Sequence, residues 1–321
     1  MMAESQPSRL QHFPVSWFAM VMGLSGLTIA LHRAETVFNL AIQPSLAALV
    51  FTITVFLALA GLYLLKAVRY PQQVKGEFNH PVKLNFAPTM SIGLILISIA
   101  LLPHSKTLSL AVWTLGVALH LVFTLYVLAT WIHHTHFEIN HMNPAWFIPI
   151  VGNILVPIAG VQHGFTELSW FFFSIGLVFW LVLLAIIFNR MFFHNPLPGK
   201  LLPTLFILIA PPAVGFLSWM QLTGELDAFA RILYYSALFL TLMLFTQAPR
   251  FLKLPFALSW WAYSFPMAAI TIATLGMYQL LGSPFFKWLG AALLVVLVVL
   301  IIGLLVRTAV AISQREICVE E

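Results

Sequence analysis

Charge is what this sequence has least of. Only 8% of its 321 residues are Asp, Glu, Lys or Arg, while 61% are hydrophobic. A soluble domain carries about 25% charged residues. A chain of this size with a mean hydropathy of +0.98 cannot hide its apolar surface from water. It is therefore read as a polytopic membrane protein. Cysteine is nearly absent. Cys318 stands alone near the C-terminus, which excludes an intrachain disulfide and leaves the redox compartment open. All ten acidic residues fall in tails, loops or helix ends, and no helix centre carries Lys or Arg. Intramembrane ionisable groups are the usual parts of proton relays and ion-coupled carriers. Their absence counts against a pump, though coupling through backbone carbonyls stays open. Nucleophile–base pairs, paired carboxylates and phosphate loops are missing too. "GLSG" (Gly23, Gly26) follows no strand, so it is no nucleotide fingerprint. It suits close helix approach instead. No cofactor is implied.

What is present is a series of apolar runs of spanning length, about 20 residues each. Ten can be traced: 14–32, 45–68, 85–102, 108–131, 144–162, 167–188, 201–220, 229–248, 256–280 and 284–310. The first, "VSWFAMVMGLSGLTIAL", ends in "HRAE" rather than a small-residue cleavage site, so it reads as a span, not a signal peptide. Short connections make successive helices antiparallel neighbours. Residues 1–321 form one transmembrane domain, with tails at 1–13 and 311–321. If the N-terminus is cytoplasmic, eleven Lys and Arg fall on that side and four on the other. Positive residues favour the cytoplasm, so both termini are expected inside. The net charge of +5 is an orientation signal, not a nucleic-acid footprint.

Prolines sort the spans into two classes. The odd spans hold Pro14, Pro88, Pro149, Pro157, Pro211, Pro212 and Pro266. The even spans have no interior proline; Pro44 and Pro284 stand at or before their starts. Odd spans also collect small polar residues, among them Asn153, Ser264 and Thr271. A proline leaves a carbonyl unpaired, here that of Ala262 before Pro266. Within a membrane that is tolerated where neighbouring helices, hydroxyls or water-lined cavities supply partners. The pattern predicts five kinked inner helices wrapped by five smooth, lipid-facing ones such as "GAALLVVLVVLIIGLLV".

Four stretches carry a family resemblance, in chain order. "HFPVSWFAMVMGLSGL", "NPAWFIPIVGNILVPIAG", "FILIAPPAVGF" and "LSWWAYSFPMAA" resemble the first, fifth, seventh and ninth helices of the tellurite-resistance/dicarboxylate-transporter family. That family includes the plant slow-type anion channels. The resemblance implies a bacterial homologue in the inner (cell) membrane: five helical hairpins in a quasi-fivefold ring around one pore per subunit, as a homotrimer. It also implies that Phe265 is the pore gate.

The residues themselves place Phe265 ten positions beyond Pro255. That is roughly 15 Å, or half of a ~30 Å hydrocarbon core, and Pro211 lies at a similar depth. A ring at the narrowest level of a pore blocks it mechanically and by dewetting; packing against a neighbouring helix is the alternative for any one phenylalanine. Pro266, Pro211, Pro212, Pro157, Pro149, Ser264, Thr271 and Asn153 are the expected kink and lining positions. An uncharged lining suits weakly held monovalent anions such as chloride or nitrate, aided by hydroxyls and the basic inner mouth. A carrier or exporter of dicarboxylates, sulfite or tellurite-related oxyanions is the alternative. The tails are too short for the kinase control seen in plant relatives.

Other residues tempt. His133, His134, His136 and His141 crowd one loop, but a histidine-dependent membrane enzyme needs several such boxes, and the cluster reads as a solvated loop rather than a metal site. His120 is expected to hydrogen-bond to a neighbouring helix. Trp260 and Trp261 are expected as interfacial anchors.

Overall fold

The computed structural model describes residues 9–135 and 137–319, and within them every regular element is helical. Among the described residues nine helical segments are long and apolar enough to cross a membrane: α1 (Val15–Phe38), α2 (Pro44–Arg69), α3 (Lys83–Leu101), α4 (Lys106–His133), α6 (Thr166–Phe193), α7 (Gly199–Thr223), α8 (Ala228–Phe245), α9 (Leu258–Leu281) and α10 (Pro284–Ser313). The shorter α5 (Pro144–Gly160) completes the series. Local chemistry sets the ends. Pro44 and Pro284 occupy first-turn positions, where no N–H is needed. Ser105 and Asp227 cap α4 and α8 through Leu108 N and Ala230 N. Gly224 and Gly282 end α7 and α9 in the left-handed region, at φ 73° and 66°.

Burial separates the helices as the prolines do. In the windows that define α1, α3, α7 and α9, 72–94% of residues are buried, against 22–39% in the long even helices. Every residue of α5 except Ile158 is buried. The even helices expose large apolar side chains, such as Leu57, Val122, Leu181, Phe239 and Val299, as lipid requires. Each odd helix packs along the even helix that follows it, and odd helices pack on one another: α1 on α3 and α9, α5 on α3 and α7, α7 on α9.

Close approach is built from small residues. A Cβ on Gly23 would lie 2.1 Å from Ser264 Oγ, and one on Gly26 would lie 2.6 Å from Ala268 Cβ. So α1 and α9 touch backbone to side chain, as the "GLSG" reading expects. Gly152 makes room for His120, whose ring nitrogens reach Ser91 Oγ (2.9 Å) on α3 and the Pro149 carbonyl (3.1 Å) on α5. His120 thus joins two inner helices.

The odd helices share a feature that the even ones lack. Each opens with a 3-10 stretch: Val15–Trp17, Lys83–Phe86, Pro144–Phe147, Gly199–Ile209 and Leu258–Tyr263. The prolines expected to kink these helices cluster at the switch into α winding. Pro88 immediately precedes it, Pro149 is the second α residue, Pro211 and Pro212 the second and third, and Pro266 the third. A proline is tolerated in a first α turn because its missing N–H is not called upon there. Pro157 alone of this set lies inside an α stretch.

The tails meet on one side, called here the tail side. Arg9 Nη2 donates to the Ile317 carbonyl at 3.0 Å. Nearby, the fully buried Lys66 donates to the Phe13 carbonyl (2.8 Å) and pairs with Glu77 (2.9 Å), which also accepts from Tyr63 (2.8 Å). Glu77 belongs to a short helix, Pro71–Asn79. The cluster pins the N-terminal segment, α2 and this helix together. The opposite ends of the helices form the far side.

Candidate functional site

Two cavities lie among the odd helices. The larger, about 360 Å³, extends toward the far side, and the smaller, about 30 Å³, lies toward the tail side. All five odd helices contribute to both walls, and no even helix contributes to either. On α1 the wall is Ala19, Met22, Gly26, Ile29 and Arg33, spaced three and four apart along one face. On α5 it is Ile148, Val151, Leu155 and Ile158, with the same spacing. These stripes run continuously from one cavity into the next.

Phe265 is the one residue on both walls. It is 5% exposed, and its ring stands 3.6 Å from where a Cβ on Gly26 would be. Its depth follows from where the helix begins and how it winds. The helix begins at Leu258, and its first six residues rise about 2.0 Å each rather than 1.5 Å. Phe265 therefore lies about 14 Å into a helix about 39 Å long, within about 6 Å of its middle and on the tail side of it.

The other expected residues are placed as follows. Pro266 lies on the wall of the smaller cavity, as does Ala262. Pro149, Pro157, Pro211, Pro212, Asn153, Ser264 and Thr271 are buried but line neither cavity. Their donor groups serve the helices, and Asn153 Oδ1 is buried with no partner among the described residues. Ser264 Oγ donates to the Trp261 carbonyl (2.6 Å) and Thr271 Oγ1 to that of Met267 (2.7 Å). Asn153 Nδ2 reaches Thr124 Oγ1 on α4 (3.0 Å) and the Pro149 carbonyl (2.9 Å). The hydroxyl-assisted lining read from sequence is thus not where these side chains sit. A hydroxyl in a membrane helix competes for the nearest carbonyl and finds it one turn back. Thr89 is on the smaller wall, and its Oγ1 likewise donates to Phe86.

Four polar or aromatic wall residues were not read from the sequence as wall positions. Trp261, expected as an interfacial anchor, is 2% exposed, lines the smaller cavity and donates to Thr308 Oγ1 on α10 (3.0 Å). Trp260 keeps a partly exposed place and donates to the Pro255 carbonyl. At the far-side end of the larger cavity stand Arg33, Gln221 and Gln279. Arg33 was assigned to a loop after residue 32, whereas α1 runs on to Phe38. The three-four spacing from Ala19 was the available signal. On the tail side, His134 Nδ1 and His141 Nδ1 accept backbone N–H groups of Phe137 and Glu138 at 3.0 Å, as caps within the loop. His136 lies outside the described residues.

An all-helical, multi-pass membrane protein whose inner helices enclose a cavity interrupted by one aromatic ring belongs among channels and transporters. The family model described as voltage-dependent anion channel (SLAC1) matches residues 12–309, and the chain belongs to that family. It is 28% identical over 310 residues to an uncharacterized transporter of Methanocaldococcus jannaschii, covering 89% of this chain and 91% of the relative. It is 27% identical over 308 residues to the S-type anion channel SLAH3 of Arabidopsis thaliana, covering 94% of this chain but only 48% of the plant protein. It is 24% identical over 296 residues, 89% of each chain, to the tellurite resistance protein TehA homolog of Haemophilus influenzae. These relatives carry the names of a transporter, an anion channel and a tellurite resistance homolog, and none the name of an enzyme.

Proposed function

We propose that this protein is a passive channel for small monovalent anions, chloride and nitrate among them, occluded by Phe265. In this reading the ten helices form five hairpins in a ring, and the odd helices surround the conduit. The observation that carries it is the position of Phe265 between two cavities, each walled by the five odd helices. A bulky apolar ring in an apolar constriction excludes both the ion and the water it needs. The walls carry no carboxylate, so anions meet no fixed repulsion, and near Phe265 they carry no charge that would trap an ion.

The eleven-to-four bias of Lys and Arg supports a cytoplasmic tail side. An inner-membrane location and a trimeric assembly follow from the family resemblance. The names of two relatives, a transporter and a tellurite resistance homolog, keep carrier chemistry as the rival outcome.

The test is an ion-flux assay in proteoliposomes. Chloride, nitrate, sulfite and malate are compared with and without Phe265→Ala. Electrogenic chloride and nitrate currents that rise in the variant support the channel. Saturable, gradient-coupled malate flux with no chloride leak overturns it.

A further inference from the structure

The larger cavity is apolar along its length except at its far-side end. There Arg33 of α1, Gln221 of α7 and Gln279 of α9 reach the wall. Their hydrogen bonds share a polarity. Gln279 Oε1 accepts from Arg33 Nη1 at 2.5 Å, and Gln221 Oε1 accepts from Gln162 Nε2 at 2.8 Å. Each amide oxygen is thus engaged by a neighbour. The two amide nitrogens and the remaining guanidinium N–H groups have no protein acceptor among the described residues. A guanidinium carries five N–H donors and no acceptor, so this mouth presents donors.

It also lacks a counter-charge. Among the described residues Arg33 makes no ion pair. Glu35 is two positions on, which on a helix is a different face. Its carboxylate accepts from Ser45 N (2.7 Å) and Ser45 Oγ (2.8 Å), and His32 Nδ1 lies 3.4 Å away. Asp227 on the same side accepts from Trp219 Nε1 and Ala230 N. A half-buried cation beside an apolar cavity, with no carboxylate within ion-pair distance among the described residues, is a site completed by an anion from solution.

We propose that Arg33, with Gln221 and Gln279, forms an anion-recognition site at the far-side mouth that takes small oxyanions in preference to halides. The proposal rests on the cavity being the conduction path. The guanidinium fork can offer two parallel N–H bonds to two oxygens of a planar nitrate or a carboxylate, whereas a spherical halide gains only a point charge. Gln279 holds one nitrogen of that fork, which fixes its orientation. The site is partly exposed, so it holds an ion weakly enough to release it, as conduction requires.

The decisive measurement is the nitrate-to-chloride permeability ratio, from reversal potentials in proteoliposome-fused bilayers. It is made in the Phe265→Ala background, so that currents are large enough to read. Arg33→Gln is expected to lower the ratio by about threefold or more. Arg33→Lys keeps the charge but not the fork; it should preserve chloride current while lowering the ratio as well. An unchanged ratio in Arg33→Gln overturns the proposal. A second measurement does not depend on conduction: calorimetric titration of sodium nitrate into detergent-purified wild type and Arg33→Gln. Saturable nitrate binding lost in the variant supports the site even if Phe265→Ala passes no current, in which case the channel reading alone falls. Absent or Arg33-independent nitrate binding overturns the site. Size-exclusion profiles and melting temperatures matching wild type exclude misfolding of Arg33→Gln as the cause.

Discussion

Truncating Phe265 to alanine tests both the chemistry and the mechanics of the occlusion. The ring is 5% exposed and lies between the 360 Å³ and 30 Å³ cavities. In the proposed channel, the ring must leave this place before the wild type passes an ion. Exposing a buried Phe side chain costs about 1.5–3 kcal/mol. At a factor of ten per 1.4 kcal/mol, that corresponds to an open fraction smaller than unity by about 10- to 150-fold. The variant removes the ring and with it this cost. Single-channel openings or macroscopic anion current should therefore rise by that factor at equal protein density. Phe265→Leu, which shortens the obstruction without removing it, should fall between. Stability should fall less than in a packed core. Core Phe→Ala changes cost about 3–5 kcal/mol, but this ring already faces two voids, so a loss near the lower figure is expected. The assay pairs bilayer recordings with melting temperatures in detergent. A well-folded Phe265→Ala whose current stays within about threefold of wild type would refute the occlusion.

Further expectations follow from the packing. Gly23→Ala places a methyl 2.1 Å from Ser264 Oγ and 2.6 Å from its Cβ, so overpacking should cost about 1–3 kcal/mol. Adding Ser264→Gly should recover part of the loss, giving a coupled double-mutant cycle in thermal melts. Glu77→Gln strands the buried Lys66 and should destabilise by about 3–5 kcal/mol, whereas the triple variant Tyr63→Phe, Lys66→Met, Glu77→Leu should melt near wild type. If both variants melt alike, the cluster does not act as a charge pair. His163, beyond the end of α5, is held below its ordinary value by burial and then by the charge of Lys106. The unfolded chain takes that proton first. Its contribution is therefore nil well above pH 6.5 and destabilising as the pH drops through about 6.5 toward the folded value. His163→Gln should flatten this part of the melting-temperature profile; equal slopes would contradict it.

The inner and outer helices were legible because lipid imposes a rule that sequence displays. Interrupted, polar-dotted helices need protein around them, and uninterrupted Leu/Val/Ile helices do not. Pro149, Pro211 and Pro266 pointed to buried helices, and α5, α7 and α9 are buried. The winding was not legible. Three-four spacing of apolar residues does not distinguish i→i+3 from i→i+4 hydrogen bonds over one or two turns, so the 3-10 stretches passed unseen. Hydroxyl placement failed for a related reason: Ser264 and Thr271 sit on inner helices, but each bonds back to its own backbone. Arg33 was missed because a charge was taken to end the helix, whereas a long side chain can reach the aqueous end of a cavity from within the last turns.

The 3-10 opening of α9 has a mechanical meaning. Six residues wound at three per turn are about 3 Å longer than the same six in an α-helix. They also turn through about 120° more. Leu258–Tyr263 is therefore a lead screw cut ahead of Phe265. Any rewinding there converts into a lift and a swing of the ring together, and the tail-side loops lie at the end where such a screw would be turned.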